Sequence, residues 1–184
     1  HRVAYGSPQQ YQTEVSLRRT LGITGPRTDE VTGQTLTEGE LFRMELLKNQ
    51  NLDGAGGVGL TFGTNLQPGN GLFPTDVCSD KVASVRVQLV GDFLGDAAAQ
   101  VNLSLSGGSV MRQCSGDALT NWSLGAGNGA GSSGFAVIQA GVNGWSTAPP
   151  NTSLFGQSVA RASWRVVLPG PADAPSNADL DLTH

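Results

Sequence analysis

Histidine is nearly missing from this chain: of 184 residues only His1 and His184 are histidines, one at each end. A Ser-His-Asp arrangement needs a base beside its nucleophile, and no internal histidine can supply one. Structural zinc takes about four nitrogen or sulfur ligands, which this chain does not offer, so no metal site of that kind is expected. Cysteine is as scarce. Cys78 and Cys114 each stand just outside an alternating run; they pair if those runs are neighbours, and are otherwise two buried thiols, which leaves the redox compartment open. Basic residues number 11 against 15 acidic ones, for a formal charge of -4, and Arg18 and Arg19 form the one adjacent basic pair. Nucleic acids and anionic membranes call for a basic face, so neither is an expected partner. No apolar run approaches the roughly 20 residues that span a bilayer as a helix. The opening HRVAYGSPQQ lacks the apolar core of a signal peptide, and direct membrane insertion by this segment is not expected.

Glycine, in contrast, is abundant. The 26 glycines, with 38% hydrophobic and 14% charged residues, indicate many turns and close backbone approaches. The length suits one domain. Residues 1–36 read as an opening strand and loop: Tyr11, Thr13, Val15 and Leu17 alternate with polar residues, and Gly25, Pro26 and Gly33 break the segment after them into loop or hairpin. Helix is predicted over 37–51, where Thr37 and Glu40 have capping-box spacing and Leu41, Met44 and Leu47 recur at helical intervals, with Phe42 and Glu45 beside them.

Residues 56–184 carry the strands. Val58, Leu60 and Phe62 alternate inside a glycine-rich run that continues as a wide turn to Cys78. Val85, Val87 and Leu89 share a face in VASVRVQLVG, as do Val101, Leu103 and Leu105 in AQVNLSLSGG. After NWSLG and a loop of spaced glycines, GFAVIQAGV is a further strand. VNGWSTAPPNTSLFG is a loop, and in FGQSVARASWRVVLPG the residues Trp164, Val166 and Leu168 share a face. The fold class expected is therefore mainly β: an antiparallel sandwich of about six or seven strands with one short helix near the N-terminal third.

Candidate chemistry is sparse, and no cofactor is expected. The glycine-rich runs are not followed by a helix or a GK[ST] sequence, as a phosphate cradle requires. A carboxylate pair can act without histidine, but Glu38, Glu40, Glu45, Asp92, Asp96 and Asp117 lie mostly in turns or at the helix start, where solvent and backbone N–H groups account for them. Asp179 and Asp181 fall on one side of an extended tail and are weak calcium candidates; the competing reading is a charged edge that discourages strand pairing. Of the three tryptophans, Trp164 is in register with core residues and is the core anchor. Trp122 is ambiguous. Trp145, in a loop bounded by glycine and proline, is the possible ligand platform, which makes a carbohydrate-binding or adhesive module the alternative to a docking role.

The order of pieces resembles the C-terminal, B-subunit-docking region of the A subunits of Tc insecticidal toxin complexes. TLTEGELFRMELLKNQ is similar to that family's amphipathic segment, KVASVRVQLVG and QVNLSLSGG to its next strands, and DLDLTH to the opening of its last one. The closest stretch is SLFGQSVARASWRVVLP, 153–169, through Phe155, Gly156, Ala160, Ser163, Trp164, Arg165 and Pro169. The chain departs from the family in its glycine-rich loop at 125–134 and in TNLQPGNGLFPTDVCSDKV. The resemblance implies a non-enzymatic structural module of a secreted or cell-surface bacterial assembly. Its subunits form a pentameric, pore-forming, toxin-translocating channel, and this region helps to dock the cocoon made by the B and C subunits. It also implies that the chain is a piece of a longer protein, with protein partners and no catalytic residue.

Overall fold

The computed structural model describes residues 12–48, 57–65, 78, 80–90, 98–107, 110–113, 118–121, 133–141, 143–150, 152–178 and 180. The strand expected around 11–18 is not there. Residues 12–16 have no regular structure, and Leu17–Thr20 form one helical turn, α1. Ser16 decides this locally: its hydroxyl accepts the Arg19 N–H at 3.4 Å while Thr20 Oγ1 donates to the Ser16 carbonyl at 2.9 Å. Such short-range bonds compete with extension. The next stretch is a hairpin, β1 (Arg27–Thr28) against β2 (Thr35–Leu36). The Thr32 and Val31 N–H groups of its turn donate to the Asp29 carboxylate and hold it below its ordinary pKa.

The capping box at 37–40 forms as predicted. The Thr37 N–H donates to Glu40 Oε2 at 2.6 Å and the Glu40 N–H to Thr37 Oγ1 at 3.3 Å, satisfying two donors that a helix start leaves open. It opens α2 (Glu38–Lys48). The buried stripe differs from the one expected: Leu46 is buried and Phe42 packs beside it, whereas Met44 and Leu47 are exposed. Apolar residues at 41, 42, 44, 46 and 47 offer two stripes of helical spacing, and contact with Val58 and Leu60 selects the one through Phe42 and Leu46.

The remaining strands are β3 (Val58–Asn65), β4 (Arg86–Val87), β5 (Ala98–Ser106), β6 (Val110–Arg112), β7 (Leu119–Asn121), β8 (Gly134–Gly141), β9 (Ser146–Thr147) and β10 (Arg161–Leu168). The main sheet has the order β3-β10-β5-β8, antiparallel throughout, so the last of the described strands lies between the third and the fifth. The fold is mainly β with antiparallel sheets, as expected. Over its described residues, 82–90, the run expected as a strand is regular only at β4. It stays extended because the Lys81–Ser158 bridge and the Val85 and Leu89 carbonyls tie it to residues 143–158. Together with β9, this ladder is the thin second layer over the main sheet. The expected loop at 142–156 thus contributes a strand, and 155–160 is a bridging turn before β10 rather than part of it. None of the described helices is long and apolar enough to cross a membrane.

The core lies between the two layers. Leu103, Leu105, Ala136, Ile138 and Trp164 from the sheet meet Val82, Ala148 and Leu154 from the second layer. Close approach sets one residue here: a Cβ at Gly134 would stand 2.8 Å from Leu154 Cα, so this crossing requires glycine. Trp164 is the core anchor the pattern predicts, 6% exposed, with Phe62 stacked at 6.3 Å between ring centroids. Its indole N–H donates to Thr64 Oγ1 at 3.0 Å, and Thr64 donates in turn to the Val159 carbonyl at 3.0 Å. Trp164→Ala should therefore cost about 3–5 kcal/mol in urea unfolding; a loss under about 1 kcal/mol would show that the side chain does not anchor the core.

Candidate functional site

Hydrogen bonds alternate from side to side along a strand in an antiparallel ladder, so one known bond fixes the rest. On β8 the Phe135 N–H donates to Ser153 Oγ at 2.8 Å, and the Gly141 N–H to Ser146 Oγ at 3.2 Å. Both point away from β5. It follows from the register that Gln100, Asn102, Ser104 and Ser106 of β5 turn towards β10, and that Ser163, Arg165 and Val167 of β10 turn towards β5. Ala162, Trp164, Val166 and Leu168 then bond Thr64, Phe62, Leu60 and Val58 of β3. The backbone groups of Gly59, Thr61 and Gly63 are left facing the outer edge.

Elsewhere in the sheet, side chains stand in for missing strand neighbours. Pro169 continues the β10 register opposite Gln100 but has no N–H to donate. Asn177 fills the gap: its Oδ1 accepts the Gln100 N–H at 2.7 Å, and its Nδ2 donates to the Gln100 and Pro169 carbonyls at 3.0 and 2.9 Å. A 3₁₀ turn over Pro175–Asn177 brings the amide there. On the outer edge of β8, Ser153 and Ser146 occupy the two ends, and the outward backbone groups of Val137 and Gln139 stand between them. The β3 edge is different. Gly59 is buried, but Thr61 and Gly63 are exposed, and no side chain of the described residues bonds to their backbone. Val58–Asn65 has no charge, proline or lysine, the usual devices that protect an edge. Beside it, half-buried Phe62 marks the border of the core.

The residues singled out from the sequence are scattered. Trp145 is exposed at 48%, as expected of a platform, with the Arg86 guanidinium 5.3 Å from its ring centroid. Trp122, Asp179, Asp181, Asp92, Asp96 and Asp117 lie outside the described residues. The other acids are engaged: Glu38 with Arg18, Glu40 in the capping box and Glu45 with Lys48. Among the described residues no three metal-ligating side chains come together. Cys78 is disulfide-bonded; Cys114, the chain's other cysteine, lies outside the described residues. No protein-family model matches the chain, and neither a curated protein nor a solved structure does.

One buried pair carries no signal in the sequence. Asp80 and Arg112, each two residues from a cysteine, form an ion pair at 3.5 Å with both side chains 4% exposed. Burial pushes the Asp80 carboxyl above its usual value against the opposing pull of the Arg112 guanidinium. A raised folded value means that the stability contributed at this position is fully present below the ordinary carboxylate pKa and is lost as pH rises through the folded one. Glu40 has the opposite sign, because the Thr37 backbone N–H, then the Thr37 hydroxyl, and last the Arg43 charge depress it; its contribution is lost as pH falls through the folded value. Removing one member of a buried pair leaves an uncompensated charge, so Arg112→Met should cost about 3–5 kcal/mol at neutral pH. The deficit should shrink at acidic pH as Asp80 takes up a proton. Urea midpoints at the two pH values check this, and an equal deficit at both would refute it.

Proposed function

We propose that this chain is a non-enzymatic structural and protein-docking module that receives an extended strand of a partner protein along β3. The observation that carries the reading is the edge at Thr61 and Gly63, both exposed, where no side chain of the described residues bonds to the outward backbone groups, whereas Ser153 and Ser146 pin both ends of the opposite edge and Asn177 fills the gap beside Pro169. Strand addition of this kind takes affinity from main-chain hydrogen bonds and specificity from alternate side chains. An incoming strand would place a residue beside half-buried Phe62, so the partner's inward position is expected to be apolar and its neighbours polar. Its outward positions would lie beside Thr61 and Gly63, where no bulky side chain stands in the way.

The resemblance to the C-terminal region of Tc-toxin A subunits supplies the context for this edge: a secreted or cell-surface bacterial assembly in which the partner is the cocoon of B and C subunits. Support from 153–169 is for the fold more than for the partner. Phe155 packs on the core, Ala160 and Trp164 are buried, Gly156 has a φ of 80° and Pro169 ends the ladder. Every one of these positions is explained by folding, so the docking claim rests on the edge.

Thr61→Pro separates docking from folding. It deletes an N–H that points away from β10 and so keeps the ladder, whereas Leu60→Pro deletes one that points into it. Binding of a purified B–C cocoon should weaken about tenfold or more in Thr61→Pro, with the melting temperature within about 2 °C of the parent. Undetectable binding by the parent chain, or full binding by Thr61→Pro, would overturn the proposal. Sedimentation showing self-association through the same edge would instead make a second copy of the chain the occupant.

A further inference from the structure

The ladder formed by β4 and β9 has two unlike faces. Val85, Val87 and Ala148 turn to the core. Arg86 stands directly opposite Thr147, and Trp145 precedes Thr147 by two residues, so all three side chains rise from the other face. The Arg86 guanidinium lies over the Trp145 ring at 5.3 Å. Both residues are exposed, and Arg86 takes part in none of the ion pairs formed among the described residues. The backbone beneath them is held firmly. The Asn143 N–H donates to the Leu89 carbonyl at 2.7 Å, and the Ala148 N–H to the Val85 carbonyl at 2.9 Å. Asn143 has a φ of 56°, a left-handed conformation that asparagine tolerates better than most residues.

We propose that Trp145, Arg86 and Thr147 form a binding site for a carboxylate-bearing saccharide. The apolar C–H face of a sugar ring stacks against the exposed part of an indole. A guanidinium offers a planar fork of N–H donors that grips a carboxylate at two points, and the neighbouring ring holds that fork in place. The Thr147 hydroxyl adds a donor or acceptor for a ring hydroxyl. A neutral sugar would gain only the stacking, so the pair selects for acid. The site is on different strands from the β3 edge and does not depend on it.

The test is calorimetric titration with a hyaluronan tetrasaccharide and with sialyllactose, using lactose as the neutral control. At least one acidic probe should bind saturably, about tenfold or more tighter than lactose. Arg86→Gln should abolish that preference, and Arg86→Lys should restore little of it, because a point charge lacks the fork. Trp145→Ala should remove binding altogether, and Thr61→Pro should leave it unchanged. Unfolding midpoints would confirm that these surface variants remain folded. The inference fails if neither acidic probe binds at concentrations up to about 10 mM, if lactose binds equally well, or if binding survives Trp145→Ala.

Discussion

Everything in this fold depends on β10 being bonded on both sides. Its even-numbered residues bond β3 and its odd-numbered ones bond β5, so the last of the described strands joins strands about 100 and 60 residues earlier. Trp164 sits at the middle of this strand. The stack on Phe62 and the bond to Thr64 tie it to β3, and Thr64 continues the bond to Val159, just before β10 begins. Strand pairing and core filling are therefore the same event, and a loss at Trp164 loosens the ladder as well as the core.

Such a sheet must account for every backbone group it buries. At the end of β10, Pro169 cannot donate, and the Asn177 amide supplies the missing partner across 8 residues of chain. At the edge of β8, two serines do the same for single N–H groups. These substitutions are compact because an amide or a hydroxyl mimics one peptide group without bringing another strand. The Thr61–Gly63 stretch has no such stand-in among the described residues. Its residues are exposed to water, so leaving these groups open costs little in the isolated chain, and the partner strand proposed above would replace solvent bonds with protein ones. What makes the edge usable is the absence of charge or proline along it.

Much of this was legible in the sequence where a period or a cap was local. The capping box at Thr37 and Glu40, the alternation through Val101, Leu103 and Leu105, and the burial of Trp164 all follow from spacing. The failures have a common cause in long-range contact. Alternation at 11–18 looks strand-like, but Ser16 and Thr20 satisfy the backbone locally and, among the described residues, no strand pairs with this stretch. Two stripes on α2 were equally apolar, and only Val58 and Leu60 chose between them. Asn177, Arg112 and Arg86 carry no local signal at all, since each acts through a residue far along the chain. Pro169 was the one hint: a proline closing a central strand implies that some other group must supply a donor.

The same distinction bears on how a motif should be weighed. SLFGQSVARASWRVVLP is the stretch that most resembles a known family, and five of its seven matching positions, Phe155, Gly156, Ala160, Trp164 and Pro169, serve as core, turn or strand end. A segment under that many packing constraints is what distant proteins of one fold would share whatever they bind. Exposed groups are less constrained by folding: Thr61 and Gly63 on one edge, Trp145 and Arg86 on the other layer. A tryptophan half open to solvent beneath an exposed guanidinium keeps apolar surface in water that folding alone would bury. Function is therefore better sought in these two places than in the segment that matches best.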